Sequence, residues 1–253
     1  MKSIKKLSQF FLINNNILKI LSSSLEDIHN YLVIEIGGGT GNLTKFLLSA
    51  KKLFVYEIDK NLCELLKNKF KNQTNVKILN KDFLKSNLAQ FKNNYYIIGN
   101  IPYHITGKIL RKIFTLDHPK LAVLLLQKEY GEKILGKPKK NFLSWWVYNF
   151  SQVKKILMVR KENFYPLPKV DSIALKFIFR DKPLVGDIKN FECFLKKIFY
   201  HKNRTIYNNL KDNFLDKSFF IKNYDILKKR AHELNFEELS NLFKVFNQCL
   251  KKL

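Results

Sequence analysis

Cysteine is scarce in this sequence, and its spacing excludes the common cysteine-based sites. The chain of 253 residues has three cysteines, an odd number, and they are scattered at Cys63, Cys193 and Cys249. They form no C-x-x-C pair, and the five histidines are equally dispersed. We therefore predict neither a disulfide framework nor a metal site, and we expect a reducing compartment.

Long apolar runs are also lacking. No segment of the sequence approaches the length that spans a membrane. The apolar stretch Phe10–Ile13 is interrupted at once by Asn14, Asn15 and Asn16, so the N-terminus has no signal-peptide core. The sequence thus predicts a cytoplasmic protein that makes no use of a membrane.

Acidic residues are few. Only 21 aspartates and glutamates stand against 46 lysines and arginines, which gives a formal net charge of +25. The excess is spread over the chain and does not form a basic tail. Such a surface attracts phosphate backbones, so we expect an anionic partner such as nucleic acid.

Apolar runs rich in valine, isoleucine and tyrosine alternate with segments of helical periodicity. Strands are predicted at Tyr31–Ile36, Leu53–Ile58, Val76–Leu79, Tyr95–Ile98, Leu121–Leu126, Lys155–Val159 and Ile173–Phe179. Helices are predicted at Leu43–Ala50, Asn61–Phe70, Ser86–Phe91, Lys108–Phe114 and Phe142–Phe150. This alternation is typical of an α/β fold with a parallel sheet, which binds ligands beyond the carboxyl ends of its strands.

Strand character stops near Asp181-Lys182-Pro183, and the pattern beyond Phe191 is helical throughout. We therefore predict two domains, an α/β domain over residues 1–182 and a small all-helical domain over residues 183–253.

A glycine-rich loop follows the first predicted strand. Glu35-Ile36-Gly37-Gly38-Gly39-Thr40-Gly41-Asn42 leads into a predicted helix, so its backbone can turn sharply and approach a ligand closely. Glu57 ends the second strand, where a carboxylate suits the two hydroxyls of a ribose. Asp82 follows the third strand, within reach of an adenine amino group. These residues favour an adenosine-containing cofactor. The alternatives are a tight structural turn for the loop and a capping role for Asp82.

The end of the fourth predicted strand is the most informative stretch. In Gly99-Asn100-Ile101-Pro102-Tyr103 an amide, a proline and an aromatic residue would form a rigid rim beside the cofactor. The side-chain oxygen of Asn100 and the carbonyl of Ile101 would accept hydrogens from an exocyclic amine, and Tyr103 would offer a flat face to a base. A proline-containing turn with a core aromatic residue is the alternative.

Together with Glu35–Gly39, the Asn100–Tyr103 motif and Pro168-Lys169-Val170-Asp171-Ser172 resemble the rRNA adenine N6-dimethyltransferase family. That family includes the small-subunit dimethyladenosine transferases and the large-subunit macrolide-resistance methylases. The resemblance spans nearly the whole chain. It implies a Rossmann-like class I S-adenosylmethionine-dependent methyltransferase sheet, with S-adenosylmethionine as cofactor, and a C-terminal domain that binds rRNA.

The same resemblance implies roles for single residues. Gln9-Phe10-Phe11-Leu12 is similar to the family's cofactor clamp, although Phe10 stands where the family usually has asparagine. Phe164 matches a second aromatic residue that would pack on the target adenine opposite Tyr103; a core or loop position is its alternative. The cofactor-binding positions that the family implies, together with that clamp, are Gln9, Phe10, Leu12, Gly37, Glu57, Asp82 and Asn100.

The helical tail bears on the substrate. Arg230-Ala231-His232-Glu233-Leu234 and the segment Asn203–Leu210 resemble small-subunit enzymes. We therefore expect a monomer that dimethylates two adjacent adenines near the 3′ end of small-subunit (16S) rRNA, in the 30S subunit or its precursor. The alternatives are a large-subunit (23S) rRNA methylase that confers macrolide resistance and a non-catalytic RNA-binding relative. An NAD enzyme is disfavoured because Asn42 replaces the last glycine of the dinucleotide fingerprint.

Overall fold

The computed structural model describes residues 10–91, 94–115, 119–211 and 223–250. The chain divides into two compact units. The first comprises residues 1–131 and 152–180, and the second comprises residues 132–151 and 181–253. Within the described ranges, no helix has the length and apolarity needed to cross a membrane.

A seven-stranded sheet forms the first unit. Its strands are β2 (Leu32–Ile36), β3 (Lys52–Glu57), β4 (Val76–Asn80), β5 (Tyr95–Asn100), β6 (Leu121–Gln127), β7 (Ser151–Val159) and β9 (Ser172–Phe179). Two further strands, β1 (Phe11–Leu12) and β8 (Phe164–Tyr165), pair with each other in a separate antiparallel ladder. All seven predicted strands are confirmed, with bounds that differ by one to four residues.

The order of the sheet is β4-β3-β2-β5-β6-β9-β7. Strands β2 to β6 are parallel, and β9 lies antiparallel to β6. The predicted parallel sheet is therefore confirmed for strands β2 to β6. The chain leaves β2 toward β3 on one side, and β5 lies on the other side, so the strand order reverses between β2 and β5. Ligand sites in such sheets lie at this reversal.

Central strands of the sheet are buried on both faces, which explains their continuous apolar runs. The six residues Leu121–Leu126 of β6 are all at most 5% exposed. Residues 33–36 of strand β2 are also buried, and they include Glu35, which is 1% exposed. A buried carboxyl group needs a hydrogen-bond partner, so Glu35 is the one residue of this strand that apolar packing alone does not explain.

The helices of the first unit are α1 (Asn15–Ser23), α2 (Lys60–Lys69) and α3 (Thr106–Thr115), and α4 (Lys128–Ile134) follows β6. Helices α2 and α3 confirm two predictions. Helix α1 was not predicted, because Asn14 was interpreted as an interruption. The side chain of Asn14 in fact accepts hydrogen bonds from the amides of Asn16 and Ile17 and so caps the start of the helix.

Two predicted helices are wrong. Leu43–Ala50 contains only the 3₁₀ turn Thr44–Phe46, and Ser86–Phe91 contains only the 3₁₀ turn Ala89–Phe91. In the first of these segments the amides of Phe46, Leu47 and Ala50 bond three residues back. Apolar residues three or four apart are buried equally well by successive 3₁₀ turns, so the periodicity alone does not separate the two structures.

The second unit is helical, with α5 (Phe142–Phe150), α6 (Ile188–Ile198), α7 (Ile206–Leu210), α8 (Tyr224–Lys228) and α9 (Phe236–Leu250). Its core includes an aromatic cluster of Phe191, Phe194, Phe243 and Phe246, whose rings lie 5.0 to 6.5 Å apart. Helix α5 is confirmed as a helix.

The sequence placed residues 132–151 in the first domain, whereas the structure groups them with the second unit. The reason is packing. The rings of Trp145 and Tyr148 lie 5.8 and 5.0 Å from that of Phe236, at the start of α9. Buried Asn149 also exchanges hydrogen bonds with the backbone of Val185. Contacts between segments this distant in sequence leave no local pattern.

Candidate active site

A cavity lies at the carboxyl ends of β2, β3 and β5, where the strand order of the sheet reverses. It brings together most of the residues that the sequence singled out, including Phe10, Gly37, Glu57, Asp82, Asn100, Ile101, Pro102 and Tyr103. The location follows from the sheet topology, and the glycine loop after β2 forms one of its walls.

The glycine loop approaches the cavity with its backbone. Gly37 and Gly39 have φ angles of +75° and +54°, which side-chain-bearing residues rarely adopt. The amide of Gly37 donates to the carbonyl of Tyr56 over 2.8 Å, which ties the loop to β3. A Cβ on Gly38 would lie 2.4 Å from Cγ1 of Val55, so the loop packs directly on the neighbouring strand. The loop is a rigid backbone surface that admits a ligand closely.

Glu57 ends β3 and is only 3% exposed. Its Oε2 accepts a hydrogen bond from the amide of Gly39 over 2.9 Å, and its Oε1 accepts one from the amide of Asp59 over 2.9 Å. Each carboxylate oxygen has further lone pairs, and so it can accept a second hydrogen bond from a ligand hydroxyl. The backbone therefore fixes an acceptor with two oxygens at the edge of the glycine loop.

Asp82 follows β4 and lines the same cavity. Its Oδ1 accepts from the amide of Leu84 over 2.9 Å and caps the 3₁₀ turn Phe83–Lys85. The capping role that the sequence left open is thus present, and it coexists with a place at the cavity. Lys112 of α3 holds the same segment, since its Nζ donates to the carbonyls of Leu84 and Ser86. Burial lowers the pKa of Lys112.

Asn100 ends β5, and its amide is held by the N-terminal segment. Its Nδ2 donates a hydrogen bond to the backbone carbonyl of Phe10 over 2.6 Å. Because this contact engages the amino group, Oδ1 is the atom of the amide that remains for accepting a hydrogen. Next to it, the amide of Ile101 donates to the carbonyl of Leu125 over 3.0 Å, which anchors the Asn100–Ile101 peptide to β6.

Tyr103 is fixed at its hydroxyl and beside its ring. The hydroxyl lies 2.9 Å from Oγ of Ser172, at the start of β9. Burial raises the pKa of Tyr103, while the contact with Ser172 opposes that rise. The ring centroid of Phe10 lies 5.8 Å from that of Tyr103, at an interplanar angle of 33°. An aromatic surface therefore stands beside Asn100 at the cavity.

Phe164 and Leu12 are not among the described residues that line this cavity. Both are 4% exposed, they pair with each other across the β1–β8 ladder, and they belong to the hydrophobic core. The core position that was the alternative for Phe164 is thus present, and its role at the target adenine stays a prediction. Leu12 lines a smaller cavity behind the glycine loop, and its carbonyl accepts from Nδ2 of Asn42 over 3.0 Å. Gln9 lies outside the described residues.

Glu35 belongs to the glycine-loop motif, but the sequence pattern indicates no role for it in the site. Its Oε2 accepts a hydrogen bond from Oγ1 of Thr44 over 2.7 Å. Burial, together with the charge of Glu57, raises the pKa of Glu35 to about 8 against the opposing effect of Thr44. The carboxyl is therefore protonated at neutral pH. A single acidic residue in the apolar run Leu32–Ile36 was the signal that pointed to it.

A parallel sheet with an antiparallel strand at its far side and a cavity at the strand-order reversal is the architecture of Rossmann-like S-adenosylmethionine-dependent methyltransferases. The fold and the cavity assign the chain to this class, and the predicted fold and cofactor are confirmed. The chain belongs to the ribosomal RNA adenine dimethylase family, whose sequence profile matches residues 1–248. The resemblance found in the motifs is therefore confirmed as well.

Individual relatives agree. The chain is 42% identical over 213 residues to the ribosomal RNA small subunit methyltransferase A of Mesomycoplasma hyopneumoniae, which covers 81% of this chain and 80% of the relative. It is 35% identical over 251 residues to the protein of the same name from Thermotoga maritima, over 98% of this chain and 86% of the relative. A dimethyladenosine transferase from Plasmodium falciparum has a solved structure that aligns with a TM-score of 0.81 at 27% identity, over 94% of this chain and 98% of that one.

Proposed function

We propose that this enzyme dimethylates N6 of two adjacent adenines near the 3′ end of small-subunit rRNA, within the 30S subunit or its precursor. The observation that carries the proposal is the orientation of Asn100. Its amino group is bound to the carbonyl of Phe10, so its Oδ1 is the acceptor for the exocyclic amine of an adenine. Relatives from Mesomycoplasma hyopneumoniae and Thermotoga maritima that carry the small-subunit name support the choice of rRNA.

On this proposal the cofactor lies along the glycine loop. Glu57 would accept hydrogen bonds from the ribose hydroxyls with the lone pairs that Gly39 and Asp59 leave free. Asp82 would accept from the adenine amino group with Oδ2, since Oδ1 caps the following turn. S-adenosylmethionine, when bound, supplies a methyl group on a positively charged sulfur, which is already activated for transfer.

The residues of the chain then act by positioning. The lone pair of adenine N6 is delocalised into the ring, which makes it a poor nucleophile. Two acceptors, Oδ1 of Asn100 and the carbonyl of Ile101, would draw the amine toward a pyramidal geometry and aim its lone pair. Tyr103 would support the base by stacking after it leaves its own stack. Orientation of this kind supplies much of a rate enhancement and requires no side-chain base.

The helical unit supplies a candidate surface for rRNA. The loop between α6 and α7 exposes Tyr200, His201, Lys202 and Arg204. Asn209, which is 8% exposed, holds this loop, since its side chain exchanges hydrogen bonds with the backbone of His201 and donates to the carbonyl of Ile198. A rigid loop with basic and aromatic residues suits the phosphates and bases of RNA. We propose further that the protein acts in the cytoplasm and as a monomer.

Mass mapping of rRNA from cells with and without this protein tests the function. We expect dimethyladenosine at two adjacent positions near the 3′ end of small-subunit rRNA, lost when the protein is absent. Purified protein given labelled S-adenosylmethionine should modify 30S subunits in preference to 50S subunits. Label that enters large-subunit rRNA instead would contradict the proposal and favour a resistance methylase.

A further inference from the structure

Phe10 occupies an unexpected place in the cavity. The family resemblance implies that Phe10 is part of the cofactor clamp, where it replaces the usual asparagine. The structure places its half-buried ring beside Tyr103, with the two centroids 5.8 Å apart. Its own carbonyl holds Nδ2 of Asn100. Both contacts join Phe10 to the residues of β5 and its following turn, and not to the glycine loop.

The next residue, Phe11, contacts the glycine loop. Two atoms of the Phe11 ring would lie 2.9 Å from a Cβ placed on Gly39, so the Phe11 ring packs on the glycine loop. Successive side chains of an extended segment point to opposite sides. The pair Phe10 and Phe11 therefore divides between two sides of the cavity, with Phe11 against the loop that holds the cofactor and Phe10 against Tyr103.

The position of Phe10 is determined by contacts beyond its own ring. Phe11 pairs with Tyr165 and Leu12 with Phe164 in the β1–β8 ladder, and the carbonyl of Leu12 accepts from Nδ2 of Asn42. With the contact between Asn100 and the Phe10 carbonyl, these bonds hold the backbone on both sides of the ring. Phe10 is thus presented to the cavity by a fixed backbone.

We propose that Phe10 is a binding residue for the target adenine and that its ring and that of Tyr103 form one aromatic surface against which the base packs. This inference rests on the proposed function. A base stacked between two rings would separate them by about 7 Å, twice the optimal carbon–carbon contact distance. The observed 5.8 Å is shorter, so the base packs across the pair and not between its members.

A pair of matched variants separates the two sides of the cavity. Phe10→Leu keeps the backbone contact with Asn100 and removes the aromatic face. We expect kcat/KM for undermethylated 30S subunits at saturating S-adenosylmethionine to fall about tenfold, because base stacking on aromatic side chains is lost. The Kd of S-adenosylmethionine, measured by calorimetry, should be unchanged. Phe11→Leu is the control, and it should raise the Kd of S-adenosylmethionine.

A rise in the Kd of S-adenosylmethionine for Phe10→Leu like that for Phe11→Leu would overturn the inference, because Phe10 would then serve the cofactor. Unchanged values of both quantities would overturn it as well. Phe10→Met provides a second variant if Phe10→Leu does not fold, as judged by thermal unfolding. A failure of the proposed function is recognised separately, because the unaltered protein would then transfer no methyl group to 30S subunits or rRNA. In that case the inference about Phe10 would be wrong as well.

Discussion

Two halves of the cavity are held together in different ways. The cofactor half, Gly37–Gly41 with Glu57, depends on contacts between residues that are near in sequence. Glu57 bonds to amides 18 and 2 positions away. The acceptor half, Phe10, Asn100 and Tyr103, depends on contacts between distant segments. Asn100 bonds to a carbonyl 90 positions away, and Tyr103 contacts a hydroxyl 69 positions away.

The difference lies in which groups make the bonds. In the cofactor half, backbone amides donate to Glu57, and no substitution of Gly39 or Asp59 except proline removes an amide. In the acceptor half, Tyr103 contacts a second side chain, Ser172, so a substitution at either residue removes that contact, and a substitution of Asn100 removes its bond to the Phe10 carbonyl. We therefore expect the acceptor half to be more sensitive to mutation, and its variants to lose turnover more than cofactor affinity.

The largest effect is expected for Asn100→Ala. This change removes the acceptor for the adenine amine and the bond to Phe10, so methyl transfer to 30S subunits should fall about 10²- to 10³-fold, as for other preorganised transition-state hydrogen bonds. Single-turnover kinetics at saturating cofactor measure it. Asn42→Ala is a matched control, because it also removes an asparagine bond to the N-terminal segment, at Leu12. Near-normal turnover of Asn100→Ala would contradict the proposed role.

Glu57→Gln should have the next largest effect, in the opposite half. The amide group replaces one carboxylate oxygen by a donor, which would face the amide of Gly39 or Asp59. We expect the Kd of S-adenosylmethionine to rise roughly 10- to 100-fold, because hydrogen bonds to charged groups are lost. Calorimetry measures this change, with Asp59→Asn as the control, since asparagine retains the cap of α2. Equal losses in both variants would contradict the role of Glu57 as ribose acceptor, because Asp59→Asn leaves the Glu57 carboxylate in place.

Two substitutions of Tyr103 distinguish the contribution of its ring from that of its hydroxyl. Tyr103→Ala should lower kcat/KM for 30S subunits about tenfold through lost stacking. Tyr103→Phe should lower it less, because only the contact with Ser172 is lost, a net effect of about 1 kcal/mol. Ser172→Ala removes the same contact from the other side and should match Tyr103→Phe. A larger loss for Tyr103→Phe than for Tyr103→Ala would point to a role for the hydroxyl proton.

The smallest effect on activity at neutral pH is expected for Glu35→Gln, because Glu35 is already uncharged there. Its effect is on stability. The folded-state pKa of about 8 lies above the ordinary value of 4.5, so the folded protein holds one more proton than the unfolded chain between these values. The free energy of unfolding therefore falls as pH rises through this window. Denaturant titrations at pH 5, 7 and 9 should show a shallower decline for Glu35→Gln, and parallel curves would contradict the assignment.

The two halves also differ in how far the sequence predicts them. The glycine loop, Glu57 and Asp82 follow strands that local periodicity locates, and their positions at the cavity are as the sequence predicts. The cap that Asp82 provides was foreseen as an alternative, and it is present with the cavity position. No role could be predicted for Glu35, because the strand pattern indicates that its side chain is buried but does not indicate its hydrogen bond with Thr44.

The acceptor half was predicted only in part. Asn100 and Tyr103 lie at the cavity as expected, but their partners, Phe10 and Ser172, were not foreseen. Phe164 lies in the core, and its contact with the target base stays a prediction. The place of Phe10 at the cavity depends on the pairing of β1 with β8, and a pairing between segments about 150 residues apart has no local signature.

The sequence by itself determined the class of the enzyme and the order of its elements, because strand periodicity, the glycine loop and the Asn100–Tyr103 motif are local patterns. Tertiary structure alone decided three matters: the direction of the Asn100 amide, the aromatic partner of Tyr103, and the association of residues 132–151 with the helical unit. Each depends on packing and hydrogen bonds between distant segments. Such contacts are selected by the shape and burial of the assembled chain, which no short stretch of sequence encodes.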